Sequence, residues 1–160
     1  MNRYQFLHAG DYVKITLHGI PEKPGVIAKM SAILSEKNIN IMTLRHSVHT
    51  PSKGDIAFTV SKENAEDSLR LMKENLEQIG AHDTSCRYGL ALVFMYGTEI
   101  ENLPRFVSDI LRAFSDYDVE FDSLSMAKEG ITCILPDQQL NQAMHAFNKM
   151  FVDEPIISPV

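Results

Sequence analysis

The 160-residue chain reads as an α+β protein of two βαββαβ units with ferredoxin-like topology, each an antiparallel sheet with helices on one face. Three features predict this: an internal repeat, period-two apolar alternation in each copy, and helical apolar spacing between the alternating stretches. Val13–Gly19 alternates as a half-buried strand, and Ala91–Gly97 repeats it with the same closing glycine. Pro24-Gly25 then opens a helix with apolar Val26, Ile27, Met30, Ile33 and Leu34. Pro104 opens its counterpart with Phe106, Val107, Ile110, Leu111 and Phe114. The same offset of 80 residues pairs Ile39 with Val119, Ile41 with Phe121 and Leu44 with Leu124, the pattern of a buried second strand in both copies. At an offset of 75, Ile56–Val60 matches Ile131–Leu135 as a third strand, so the second copy has the shorter hairpin loop. Ala65, Leu69, Met72, Leu76 and Ile79 then predict a helix ending at Gly80, and Leu140, Met144, Phe147 and Phe151 predict its copy. Ser61 and Asp137 are the expected N-caps. Arg3–Leu7 and Ala81–Cys86 supply a further strand each.

Composition narrows the function classes. Fifteen basic against twenty-one acidic side chains give a net charge of −6, which argues against phosphate backbones and anionic membranes as partners. The excess is uneven: residues 1–80 carry ten basic and nine acidic groups, residues 81–160 five and twelve. Cys86 and Cys133 are 47 residues apart, so neither a disulfide framework nor a CxxC motif is expected, and a reduced thiol pair fits. The apolar runs fall short of the roughly 18 residues of a membrane span, and the start MNRYQFLHAG lacks a leader pattern; the expected location is cytoplasmic. The methionines Met30, Met42, Met72, Met144 and Met150 read as core filler.

Gly19-Ile20-Pro21-Glu22-Lys23-Pro24-Gly25-Val26-Ile27-Ala28-Lys29, followed by Asn38-Ile39-Asn40-Ile41, resembles an ACT domain, in particular the tandem regulatory region of aspartokinases. Gly54–Val60 resembles that family's third strand. The resemblance covers nearly the whole chain without a kinase domain, and implies a regulatory, non-catalytic protein that senses a free amino acid such as lysine or threonine. It implies one ACT unit over 11–82 and a second over 83–152, the latter completed by a crossing N-terminal strand at 3–8, with 153–160 as a tail. A homodimer, an amino-acid biosynthetic enzyme as partner, and no cofactor complete that expectation.

The candidate site gathers around the Pro-Gly turn, at Glu22, Lys23, Pro24, Gly25, Val26, Ile27 and Ala28. Pro24 fixes φ at the helix entrance, and Gly25 leaves the first-turn amides of Val26, Ile27 and Ala28 uncovered, a setting suited to a carboxylate. Glu22 beside them would receive the ammonium of an amino acid. By resemblance, Asn40 and His46 lie on the neighbouring second strand, His46 standing where the family usually carries Gln. In the second unit Leu103-Pro104-Arg105 replaces the family's His-Pro-Gly, which places a cationic side chain where the glycine would be. Asp118 and Glu120 stand where the family tends to have asparagines that close a ligand site; they select a cationic effector or mark a lost site. Met126–Gly130, the loop before the last strand, also departs from the family pattern.

Other classes fare worse. An RNA-binding module of this topology needs stacked aromatics on its central strands, and the first unit's third strand offers Phe58 alone. A serine hydrolase elbow and an arginine-bearing phosphate loop are both missing from the sequence. The carboxylates within 116–122 read as a loop and strand edge facing water. His46 and His49, three apart on a strand, point to opposite faces and do not suggest metal chelation. The competing reading is an ACT scaffold that binds no effector and acts through protein association alone.

Overall fold

The computed structural model describes residues 5–97, 105–128, 130–151 and 157–159. Asp11–Tyr88 form one compact unit, and Gly89–Val160 with the chain start through Gly10 form the other.

In the unit 11–88 the strand order is β2-β3-β1-β4: β2 is Thr43–Thr50, β3 is Lys53–Ser61, and the later part of β1 (Gln5–Pro21) and the first part of β4 (Asp83–Tyr96) complete the sheet. β1 and β3 run antiparallel, with Val13 opposite Val60, Ile15 opposite Phe58 and Leu17 opposite Ile56. These six side chains are buried and meet Val26, Met30 and Leu34 of α1 (Val26–Ser35) and Leu71 and Met72 of α2 (Ala65–Glu74). Alternation of period two on the strands and near 3.6 on the helices thus puts both apolar sets into one core.

The other unit repeats the plan as β1-β4-β6-β5, with β5 at Ser123–Ala127, β6 at Gly130–Pro136, and β7 (Ile157–Pro159) parallel to β1. α4 (Phe106–Asp116) and α5 (Leu140–Phe151) place Phe106, Ile110, Phe114, Ala143, Met144 and Phe147 against Val93, Met95, Ile131 and Cys133. Phe6 of β1 joins that core and stacks on Phe147 with ring centroids 5.4 Å apart. Burial and the charge of Asp122 push the Cys133 thiol up to about 12, so it serves as a small apolar side chain.

Several sequence expectations change. The two strand pairs expected at 3–7 with 13–19, and at 81–86 with 91–97, are the single long strands β1 and β4. The unit boundary within each falls at a left-handed residue, Asp11 (φ 62°) and Gly89 (φ 69°). The second strand is not buried: β2 is an edge strand, with Leu44 47% exposed, and Phe121 is 42% exposed. Ile39 and Val119 are buried because they follow helix caps rather than because they lie on strands. Asn38 (φ 55°) and Asp118 (φ 53°) hold the left-handed position, and the amides of Ile39 and Val119 donate to Leu34 O (3.1 Å) and Phe114 O (2.8 Å), closing the same 6→1 cap in both copies.

The helix expected from Ala65 to Ile79 breaks at Asn75, whose side-chain amide donates to Leu71 O at 2.8 Å; α3 (Leu76–Ile79) restarts beyond it and ends at left-handed Gly80. Ser61 and Asp137 make no N-cap bond, since short 3₁₀ turns at Lys62–Asn64 and Asp137–Gln139 precede both helices. Met42 is 40% exposed, not core filler, while Met30, Met72 and Met144 are buried and Met150 packs at the core's edge. Leu103, Pro104, Glu129 and most of the tail 153–160 lie outside the described residues.

Candidate functional site

Within the unit 11–88, the turn between β1 and α1 and the middle of β2 border an open cavity of about 310 Å³, lined by Ile20, Pro21, Glu22, Lys23, Pro24, Val26, Ile27 and His46. Each part has a local cause. Gly25 takes φ 91° at the N-cap of α1, a value that an L side chain adopts only with strain. Lys29 N–H is the first to close a helical bond, to Gly25 O at 2.9 Å, and α1 has no side-chain cap. The amides of Val26, Ile27 and Ala28 therefore lie in the uncapped first turn. Glu22 is pinned by its amide, which donates to Ser52 O at 3.1 Å.

The carboxylate of Glu22, 17% exposed, accepts a hydrogen bond from His46 Nε2 at 2.9 Å, so the imidazole carries its proton on Nε2 there. This pair lies over Gly54, where a Cβ would overlap Glu22 Oε1 and Ser47 O. The glycine that resembled a family strand residue thus clears the space in which the Glu22 and His46 side chains meet. One oxygen of Glu22 is engaged by His46 and the other remains for a further donor.

Of the residues that the sequence pointed to, Glu22, Lys23, Pro24, Val26, Ile27 and His46 line the cavity, and Gly25 shapes it. Ala28 is exposed on α1, outside the lining. Asn40 is a correction in its placement: β2 starts at Thr43, so Asn40 sits on the loop before the strand, exposed and not among the cavity's lining. It follows the left-handed Asn38 cap by two residues, and pairing with β3 begins at the Met42 amide, which donates to Thr59 O at 2.9 Å. Ile20 and Pro21, two apolar wall residues, were missed as site members although they stand inside the same motif.

Asp118 and Glu120 belong to the other unit and both are exposed. Asp118 serves as the left-handed cap of α4, and the Glu120 amide donates to Gln139 Oε1 at 2.8 Å. Arg105 stands at the N-cap of α4 with an ordinary right-handed φ of −94°. That unit has its own cavity, of about 290 Å³, walled by Leu7, Phe94, Met95, Tyr96 and parts of β5 and β6, with no acid or base among its lining.

His49 goes elsewhere than His46. Its Nε2 lies 3.1 Å from Asp55 Oδ2, as does His18 Nδ1. Partial burial alone would raise the Asp55 pKa, but hydrogen bonds from the Gly19 amide, His49 and His18, with the charge of His18, outweigh it and hold the carboxyl below 3.8. Among the described residues no group of three or more His, Cys, Asp and Glu is placed to hold a metal ion.

A βαββαβ sheet is the fold that the sequence resemblance implied, and comparison with known proteins agrees with that fold. Residues 15–79 match the ACT domain. Beyond that ACT match, the chain is 27% identical over 143 residues to an aspartokinase of Thermus thermophilus, covering 88% of this chain and 35% of the relative. It therefore spans about a third of the length of that curated relative. The ligand-free regulatory subunit of aspartate kinase from Thermus thermophilus superposes with a TM-score of 0.79 at 26% identity, covering 91% of this chain and 97% of that one. The regulatory subunit from Thermus flavus gives 0.81 at 25% identity, covering 92% and 97%. Both ACT-like units are included in such coverage, and the chain resembles these regulatory subunits in fold and extent.

Proposed function

We propose that this chain is a non-catalytic regulatory protein that senses a free amino acid at the β1–α1 cavity and passes the occupancy on to an amino-acid biosynthetic enzyme. The observation that carries the reading is the pairing of an uncapped α1 start, opened by left-handed Gly25, with the Glu22–His46 pair in one cavity. A zwitterion carries the complementary charges: its carboxylate suits the first-turn amides of Val26 and Ile27, and its ammonium suits the oxygen of Glu22 left free by His46. The apolar wall of Ile20, Pro21, Pro24 and Ile27 would then face the effector's side chain. Similarity to aspartate kinase regulatory subunits supports the regulatory role. Regulation would follow by linkage: an effector that binds one assembly better than another shifts the population by that difference.

The test is a thermal-shift screen of the chain against the twenty amino acids, lysine and threonine included. A ligand at 100 times its dissociation constant adds about 2.7 kcal/mol of stability, a rise of several degrees at this size. Gly25→Val, which forces a β-branched side chain into the left-handed region, should abolish that rise while lowering the unliganded stability by about 1–2 kcal/mol. A wild-type chain whose midpoint no amino acid moves at saturating millimolar concentration would instead support the scaffold that works by protein association alone.

A further inference from the structure

We propose that Ser85 is a nucleophile that takes up an acyl group from an activated acyl donor, with His18 as its base and Asp55 as the residue positioning that base. The supporting geometry is a continuous relay inside the unit 11–88, well apart in role from the β1–α1 cavity. Ser85 Oγ lies 2.7 Å from His18 Nε2, and His18 Nδ1 lies 3.1 Å from Asp55 Oδ2. The other carboxylate oxygen, Oδ1, accepts the Gly19 amide at 3.0 Å, and Oδ2 also receives His49 Nε2 at 3.1 Å.

An ionised carboxylate only accepts, so a proton of His18 resides on Nδ1, and in the neutral imidazole the lone pair of Nε2 faces the serine hydroxyl. That is the protonation state a general base needs, and the order nucleophile, imidazole, carboxylate is the arrangement that activates serine on unrelated folds. Three strands hold it: Ser85 on β4, His18 on β1 and Asp55 on β3. Gly19, with φ 65° beside the register shift between Leu17 and Ile20, turns its amide onto Asp55 and fixes the carboxylate. Ser85 is exposed and the His18 side chain is 39% exposed, so a small donor reaches both.

Ser85 lies inside a strand, not on a strand-to-helix elbow, so helix N-terminal amides do not face the developing oxyanion. The relay therefore suits donors whose leaving group departs readily, such as aryl esters. In the step, the Oγ–carbonyl carbon bond forms as the hydroxyl proton passes to His18 Nε2. The bond from carbonyl carbon to the aryl oxygen breaks, the aryl oxide leaves with the electron pair, and His18 returns its proton to water, leaving an acyl ester on Ser85.

The experiment treats the full chain with p-nitrophenyl acetate, follows nitrophenolate release, and locates the acetyl group by peptide mass spectrometry. Acetylation concentrated on Ser85 is expected. His18→Gln should slow it by about a hundredfold, in a chain whose circular dichroism shows that it is folded. Asp55→Asn, the second variant should His18→Gln fail to fold, slows it by about tenfold or more, and Asp55→Glu restores part of the loss. Acetyl groups found only on lysines or the chain start, or Ser85 acetylated at the wild-type rate in a folded His18→Gln or Asp55→Asn chain, would overturn the proposal.

Discussion

Individual residues account for most of what distinguishes this chain at its cavity. Glu22 was recognisable as a candidate from its place beside Pro24-Gly25, and His46 from its position in the resemblance, but their contact was not. It depends on β2 and the β1–α1 turn converging over Gly54, and nothing in local spacing reports that approach. Asp55 went unremarked in sequence for the same reason: His18, His49 and Gly19 reach it from other strands or turns. Its electrostatics give a pH prediction. The folded carboxyl titrates below 3.8, its unfolded value is near 3.8, and so its contribution to stability is complete above that range and is lost as pH falls through the folded value. Urea unfolding from pH 6 down to pH 3 should show the stability gap between wild type and Asp55→Asn shrinking toward the acid end. A gap that stayed constant or widened would mean that the carboxylate is not held by these donors.

Elements were legible where periodicity and punctuation agree. The core-facing strands β1, β3, β4 and β6 and the four longer helices follow their apolar periods, because one buried face leaves its mark in the sequence. Edge strands do not: β2 and β5 are largely exposed, so their apolar residues report caps and neighbours as much as burial. The α2–α3 break was likewise hidden, since an asparagine inside a periodic run reveals its bond to Leu71 O only in three dimensions. The repeated 6→1 cap yields a prediction about Asp118. At φ 53° an aspartate is tolerated and a glycine is unstrained, so Asp118→Gly should stabilise the unit 89–160 by up to about 1 kcal/mol. The midpoint of chemical unfolding measures this. An accompanying loss of any amino-acid response would return Asp118 to the binding site, whereas an unchanged response leaves it a helix cap.

At the scale of the whole molecule, the chain order of the two units is interleaved: the first strand begins in the unit that the second half of the sequence builds. Phe6 therefore stabilises residues far from it in sequence, packing on Phe147 in a core with Phe114. Phe6→Ala should cost about 3–5 kcal/mol, and hydrogen exchange should rise in 89–151 while the amides of 13–79 keep their protection. Equal loosening of both units would contradict the assignment of Phe6 to one core. The sequence alone determined the repeat, the class of fold, the apolar sets of both cores and the Pro-Gly turn, because these rest on local periodicity and backbone preference. Only the tertiary structure decided that β1 and β4 are each one long strand, that β2 is an edge, that His46 meets Glu22, and that Ser85, His18 and Asp55 form a relay. Those features depend on strand neighbours brought together across as many as 67 residues of chain, and pairing at that separation leaves no period for a sequence to display.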